Sequence, residues 1–341
     1  MSEQNNQMAS EEQEKVLGLS ELKPGDILIF DTDGSPIDVL ITSFTNSNAT
    51  HGALFVQNGE NALLADSGFT GIDLHQVAEG SEDNKESRIV HVRRITKEGG
   101  FGDDFDNIIA PVVKIANDYV REDLPYPYSD LVLLAMILIY KDVSDVNLQQ
   151  AVVIKLLKLV TAEIKKIIDD KFHDGKHTMV CSSFVYQCYL DASKDNSDLK
   201  LIIENGDVQA NLKKKRSATL FDLYAEHAAE YNFETKRFVE SEAEPVKESI
   251  DELLKNLVDK KNGNHVSLIK SNALSNAIEE FLKVLLKAAG ITIHSIKELI
   301  ENAKMQQAMF ITPNDLYCHT TNTVSVGKIL LYRNGDEYKP Q

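Results

Sequence analysis

Residues 50–56 and 61–66 are two largely apolar runs that face each other across Gln57-Asn58-Gly59-Glu60. Asn-Gly is the dipeptide best suited to a two-residue type I′ turn. Such a turn commits the chain, near its start, to an antiparallel hairpin with one buried face. In that register His51 stands directly opposite Asp66, while Ala53 opposite Leu64 and Phe55 opposite Ala62 continue the same face as apolar. An imidazole beside a carboxylate is the base and the orienting group of a nucleophilic triad. A slip of one residue would send Asp66 to the other face, so the expectation depends on the turn.

The pattern around the hairpin is also β-like. Residues 26–30 follow a Pro24-Gly25 turn, residues 88–94 alternate around Ile89, Val90 and Val92, and residues 309–332 return to β character at the far end. Between them, residues 105–170 carry helical periodicity interrupted at 124–128. Residues 178–192 read as a helix starting near Cys181. Residues 193–310 are rich in lysine and glutamate and helical in pattern, most clearly at 250–258 and 274–289. Segregated strands and helices exclude a doubly wound parallel sheet. The expected class is α+β, a small antiparallel, partly barrel-like sheet packed on the Cys181 helix. Residues 1–19 are expected to form a mobile tail, residues 20–192 with 308–334 one domain, and residues 193–307 an inserted helical subdomain.

Charge and hydropathy narrow the function. Of 341 residues, 53 are acidic and 36 basic, a net charge of −17, and the first 191 residues carry 31 of the acidic against 16 of the basic ones. Such a field repels phosphate backbones and anionic headgroups, so no nucleic-acid partner is expected. The longest apolar run, 131–140, is about half of a bilayer span. The next, 151–168, is broken by Lys155, Lys158, Glu163, Lys165 and Lys166, so no integral membrane segment is expected. The polar, acidic first fifteen residues do not read as a Sec signal, and three cysteines far apart make no disulfide framework. The expected location is the cytoplasm, or a destination reached by a non-Sec secretion route.

Cys181 is the candidate nucleophile. A thiol at a helix N-terminus feels unpaired N–H groups and the positive end of the dipole, and the same N–H groups can hold an oxyanion. Cys188, two turns along the same face, reads as a buried small hydrophobe. His173, His177, Cys181 and Cys188 offer ligand types acceptable to zinc. However, no Cys-x2-Cys knuckle accompanies them, and residues 173–176 read as a turn, so no metal and no cofactor are expected. The other histidines, His75 among them, show no ligand spacing, and the basic run 213–216 reads as a solvated loop.

The order of these motifs resembles the circularly permuted branch of the NlpC-type papain-like superfamily, the YiiX-like group. LKPGDILIF at 22–30 is similar to that family's "PGD-apolar" strand, and THGALF at 50–55 to its histidine-bearing strand. LAD at 64–66 is similar to the strand ending in the third catalytic residue, usually Glu. VCSSFVY at 180–186 resembles the nucleophile helix, and FITPNDLY at 310–317 a "TPxDL" element leading into the last strand. The cysteine follows the histidine here, which is the permuted order. The resemblance implies a permuted papain-like catalytic core at 20–192 and 308–334, with Cys181, His51 and Asp66 as catalytic residues. It implies hydrolysis of an amide bond through a thioester, with a peptide or peptidoglycan fragment as substrate. Permuted relatives such as lecithin retinol acyltransferase make a lipid acyl substrate the alternative. A non-catalytic binding protein is the third reading, in which the apolar stripes Ile250, Leu253, Leu254, Leu257, Val258 and Leu274, Ile278, Phe281, Leu282, Leu285 of the insertion meet a protein partner.

Overall fold

Pro24 and Gly25 occupy the centre of a tight turn in which the Asp26 N–H bonds the Lys23 carbonyl at 2.9 Å and Gly25 takes φ +90°. This is the type II arrangement that Pro-Gly favours. It aims the chain into β1 (Ile27–Asp31) and binds it to the neighbouring strand, since Gly25 N–H donates to the Phe55 carbonyl at 2.7 Å. The computed structural model describes residues 14–68, 71–121, 129–141, 148–171, 180–208, 219–230, 253–254 and 271–338.

Five further strands follow: β2 (Ala49–Gln57), β3 (Leu63–Ser67), β4 (Ile72–Glu79), β5 (Arg88–Ile95) and β6 (Thr323–Tyr338). All pair antiparallel and close into a barrel in the order β1-β2-β3-β4-β6-β5. The protein is therefore α+β with a single antiparallel sheet, and the late strand β6 slots between the two early strands β4 and β5. Closure leaves no edge strand unpaired. All six strands contribute to one buried cluster, including Leu28, Phe30, Ala53, Phe55, Leu64, Val77, Val92 and Ile329, which fills the inside. The opposite faces of β1–β4 pack on α2 (Phe105–Arg121) and α5 (Cys181–Ala192) through Ile27, Leu54, Ala65, Val112, Phe184 and Val185.

A second layer is wholly helical. It comprises α1 (Pro36–Thr45), α3 (Ser129–Tyr140), α4 (Gln150–Lys171), α6 (Leu220–Glu230), α7 (Asn272–Ala288) and α8 (Ile296–Met309). Every residue of the apolar run 131–140 is buried in this layer. Leu274, Ile278, Phe281, Leu282 and Leu285 of α7 share its core with Val153, Leu156, Leu157 and Val160 of α4. That stripe is consumed by packing within the chain. The helices of 193–307 thus share a core with helices on the N-terminal side of residue 193, while Leu199 and Leu201 pack with the barrel cluster. No helix among the described residues is long and apolar enough to cross a membrane.

The hairpin departs from the expected register. The pairs are Ala53 with Asp66, Leu54 with Ala65 and Phe55 with Leu64, with an irregularity between Phe55 and Gln57. Asn58 is not in the left-handed conformation that a type I′ turn demands. Its side-chain amide instead donates to the Leu22 carbonyl at 2.8 Å, so the connection lengthens to residues 58–62. The shift is two residues, an even number, so His51 and Asp66 remain on one face as diagonal rather than direct neighbours. Residues 36–45, read as part of a β-like stretch, form α1: Ser35 caps it by accepting from the Asp38 N–H at 3.3 Å, and Pro36 occupies its first turn. Residues 14–19, expected in the tail, lie on the barrel, with Leu17 buried and bonded to the Lys328 carbonyl at 2.8 Å. Residues 1–13, the interruption at 124–128, His173, His177, the run 213–216 and the stripe at 250–258, apart from Leu253 and Leu254, lie outside the described residues.

A Cβ on Gly25 would sit 2.2 Å from Ile109 Cγ1, whereas one on Gly34, also at positive φ (+80°), would meet nothing within 4 Å. Gly25→Ala is expected to lower the unfolding free energy by about 2–4 kcal/mol, and Gly34→Ala by only about 1 kcal/mol, in urea titrations. Equal losses would show that the turn is not held against α2.

Candidate active site

Helix α5 begins at Cys181, with extended Val180 as its N-cap. Valine has no side-chain acceptor, so the leading N–H groups of α5 are not closed off by a cap. The first bond to an upstream carbonyl runs from Phe184 N–H to Val180, 2.8 Å. The helix start is clamped from below by the 310–316 segment, where Ser182 Oγ donates to the Ile311 carbonyl at 2.7 Å. That segment is itself fixed by a reciprocal cap: Thr312 N–H donates to Asp315 at 2.8 Å, and Asp315 N–H to Thr312 Oγ1 at 3.1 Å. The Thr-Pro-Asn-Asp element therefore braces the cysteine helix.

Strand β2 reaches the same point at Gly52. A Cβ there would lie 3.3 Å from Leu316 Cδ1 and 3.6 Å from Ser182 Cα. The close approach of strand backbone to helix backbone brings His51 against Cys181. His51 is nearly buried, and its Nε2 meets Asp66 Oδ2 at 2.8 Å. Asp66 is fully buried, and its other oxygen lies 3.1 Å from His75 Nε2. Phe30 packs edge-on to the His51 ring, with centroids 5.6 Å apart. On the opposite side of the ring, Nδ1 lies 3.9 Å from Asp130 Oδ1, at the start of α3. The ligand-type atoms of His51, Asp130 and Cys181 all fall within 4.8 Å of one another. Cys181 is fully buried, whereas the Asp130 side chain is 44% exposed, so the cluster meets solvent through Asp130.

Burial opposes a charge on His51, but its electrostatic attraction to Cys181 and hydrogen bonding with Asp130, Asp66 and Cys181 together outweigh it, holding the imidazole well above its ordinary 6.5. Cys188 is the contrast: buried in apolar surroundings on the same helix, its thiol is pushed well above the usual range.

The structure thus brings together all three residues singled out in sequence, His51, Asp66 and Cys181. Two members of the cluster were not among them. Asp130 sits about fifty residues from Cys181 in sequence, and no local pattern links the two. His75 lies on β4, where Leu64 pairs with His75 and Asp66 with Asp73. The alternation Asp73, His75, Val77 carries the signal, but it can be used only once the β3–β4 register is known. No protein-family model matches the chain, and no curated protein matches it.

A histidine whose folded pKa is raised adds stability that is fully present below its unfolded pKa, near 6.5, and lost as pH rises through the folded value. In an NMR titration the His51 ring protons are expected to shift with a midpoint well above 6.5. Asp66→Asn and Cys181→Ser should each lower that midpoint. A His51 midpoint at or below 6.5 in the parent would contradict this electrostatic picture.

Proposed function

We propose that the protein is a cysteine-dependent hydrolase that cleaves an amide bond through a thioester intermediate, on a core of the permuted papain-like, NlpC-type kind. The observation that carries this reading is the placement of Cys181 at the uncapped start of α5, beside a histidine that is tied on its other side to a buried carboxylate. In this mechanism Cys181 Sγ attacks the carbonyl carbon, and His51 first holds the thiol proton and then delivers it to the leaving amine. Asp66 keeps His51 in one orientation, and His75 steadies Asp66 from the far side. The Cys181 N–H, at the positive end of α5, stabilises the oxyanion. Water, activated by His51, then releases the acyl group and restores the thiol. Substrate enters on the Asp130 side, the solvent-facing part of the cluster.

The strand order supports the permuted reading: the cysteine helix follows the histidine strand, and β6 completes the barrel from the C-terminal side. A cell-wall peptide or another peptide amide is the substrate class proposed. For transfer of a lipid acyl chain, residues 131–140 would have to line a tunnel, but those side chains are buried among other helices. The α7 stripe, which a binding protein would need exposed, is likewise buried.

An electrophilic thiol probe is expected to label the parent at Cys181. In a Cys318→Ala background, which removes the exposed thiol, Cys181→Ser should abolish labelling, and His51→Ala should slow it by about 10²–10⁴-fold. Incubation with muropeptides and, separately, with acyl-ester lipids, followed by mass spectrometry of the products, assigns the substrate class. Labelling of both variants at the parental rate would overturn the mechanism.

A further inference from the structure

Two clusters among the described residues bring together three side chains able to ligate a metal: His51, Asp130 and Cys181, and Asp207, Asp315 and His319. They differ in what already occupies them. Asp207 receives Thr312 Oγ1 at 2.7 Å and the Asn314 amide at 3.1 Å, and the Lys141 ammonium lies 3.2 Å from it. Asp315 receives the backbone N–H groups of Asp207 and Thr312, at 2.6 and 2.8 Å, and meets His319 at 2.8 Å. A cation is already built into that cluster, which acts as the brace beneath α5.

The first cluster is of another kind. It offers a thiol, an imidazole nitrogen and a carboxylate from three separate elements, converging at the mouth of the site. Around a tetrahedral zinc ion the donor atoms would lie roughly 3.3–3.7 Å apart, given Zn–N, Zn–O and Zn–S bonds of about 2.0–2.3 Å. His51 Nδ1 and Asp130 Oδ1 are 3.9 Å apart, and all three atoms lie within 4.8 Å of one another, so a closure of at most about 1.5 Å is needed. Asp130, 44% exposed at the first turn of α3, is the member able to supply it. The far nitrogen of His51 already bonds a buried carboxylate at 2.8 Å, the arrangement that fixes ring orientation in carboxylate–histidine–zinc sites. Thiolate with imidazole selects zinc over calcium and magnesium.

We propose that His51, Asp130 and Cys181 form a zinc site whose occupation caps the Cys181 sulfur, so that zinc reversibly silences the nucleophile. The binding site rests on geometry alone; the silencing rests on the thiol mechanism proposed above. Asp130 distinguishes the two roles, because a cysteine–histidine pair without it has only two ligands for the ion. The fourth position faces the Asp130 side, where water completes the tetrahedron.

The test uses the full chain and two metal ions. Cobalt(II), a spectroscopic substitute for zinc, is expected to bind one-to-one and to show a thiolate charge-transfer absorption. This absorption should be lost in Cys181→Ala and kept in Cys188→Ala and Cys318→Ala. Calorimetric zinc titration should give one site, weakened at least tenfold in Asp130→Asn; this exposed substitution keeps the test valid if the buried Cys181 variant does not fold. Zinc should block thiol labelling of the parent, and a chelator should restore it. Absence of the cobalt–thiolate band, or equal zinc affinity in parent and Asp130→Asn, would overturn the proposal even where metal-free labelling succeeds. Failure of labelling without zinc would instead strike the hydrolase reading, while an intact cobalt band would still uphold the metal site.

Discussion

The backbone of β2 comes close to the first turn of α5: a Cβ at position 52 would touch Ser182 Cα at 3.6 Å and press on Leu316 Cδ1 at 3.3 Å. Much of the site follows from this approach. It sets the distance between the strand that carries His51 and the helix that carries Cys181. It also needs α5 to be held against outward drift, which is achieved by Leu316 beneath Gly52 and by the Ser182–Ile311 bond. The 312–315 cap supports those contacts, and Asp207 and Lys141 support the cap in turn. A local substitution anywhere along this chain of contacts would therefore register at the cysteine.

The second constraint is electrostatic. Asp66 has no exposure, and a carboxylate so placed is tolerated only where partners replace its lost hydration. His51 bonds one oxygen at 2.8 Å, and His75 lies 3.1 Å from the other. The alternation of β2, β3 and β4 directs all three side chains to the inner face of the barrel, above the apolar filling of Phe55, Leu64 and Val77. The same arrangement recurs at Asp26, fully buried and gripped by the Arg94 guanidinium at 2.6 Å through two nitrogens. Among the described residues, buried Asp38 and Asp207 likewise lie beside Arg88 and Lys141.

Periodicity made much of the fold legible. The start of α5 at Cys181 follows from small polar residues preceding a long apolar face, and β1, β2, β3 and β5 follow from alternation between turns. The hairpin register was read two residues out, because Asn58 spends its amide on the Leu22 carbonyl instead of shaping a tight turn. The face assignment survived because side chains alternate with a period of two. Helix α1 falls in the stretch read as β-like, where Val39, Ile41 and Thr42 favour strands by propensity. Helical stripes show that a helix buries a face, but not against which partner, so the sharing of one core by α4 and α7 was not legible.

Sequence alone determined the class of structure and singled out Cys181, His51 and Asp66 as a set to be brought together, because alternation, helix termini and paired side-chain chemistry are local properties of the chain. Tertiary structure alone decided that the sheet closes with β6 between β4 and β5, that Asp130 joins the cluster and that His75 backs Asp66. The first two bring together residues tens to hundreds of positions apart, and the third depends on the β3–β4 register. They follow from which apolar faces find each other in the folded core, and no local pattern encodes that choice.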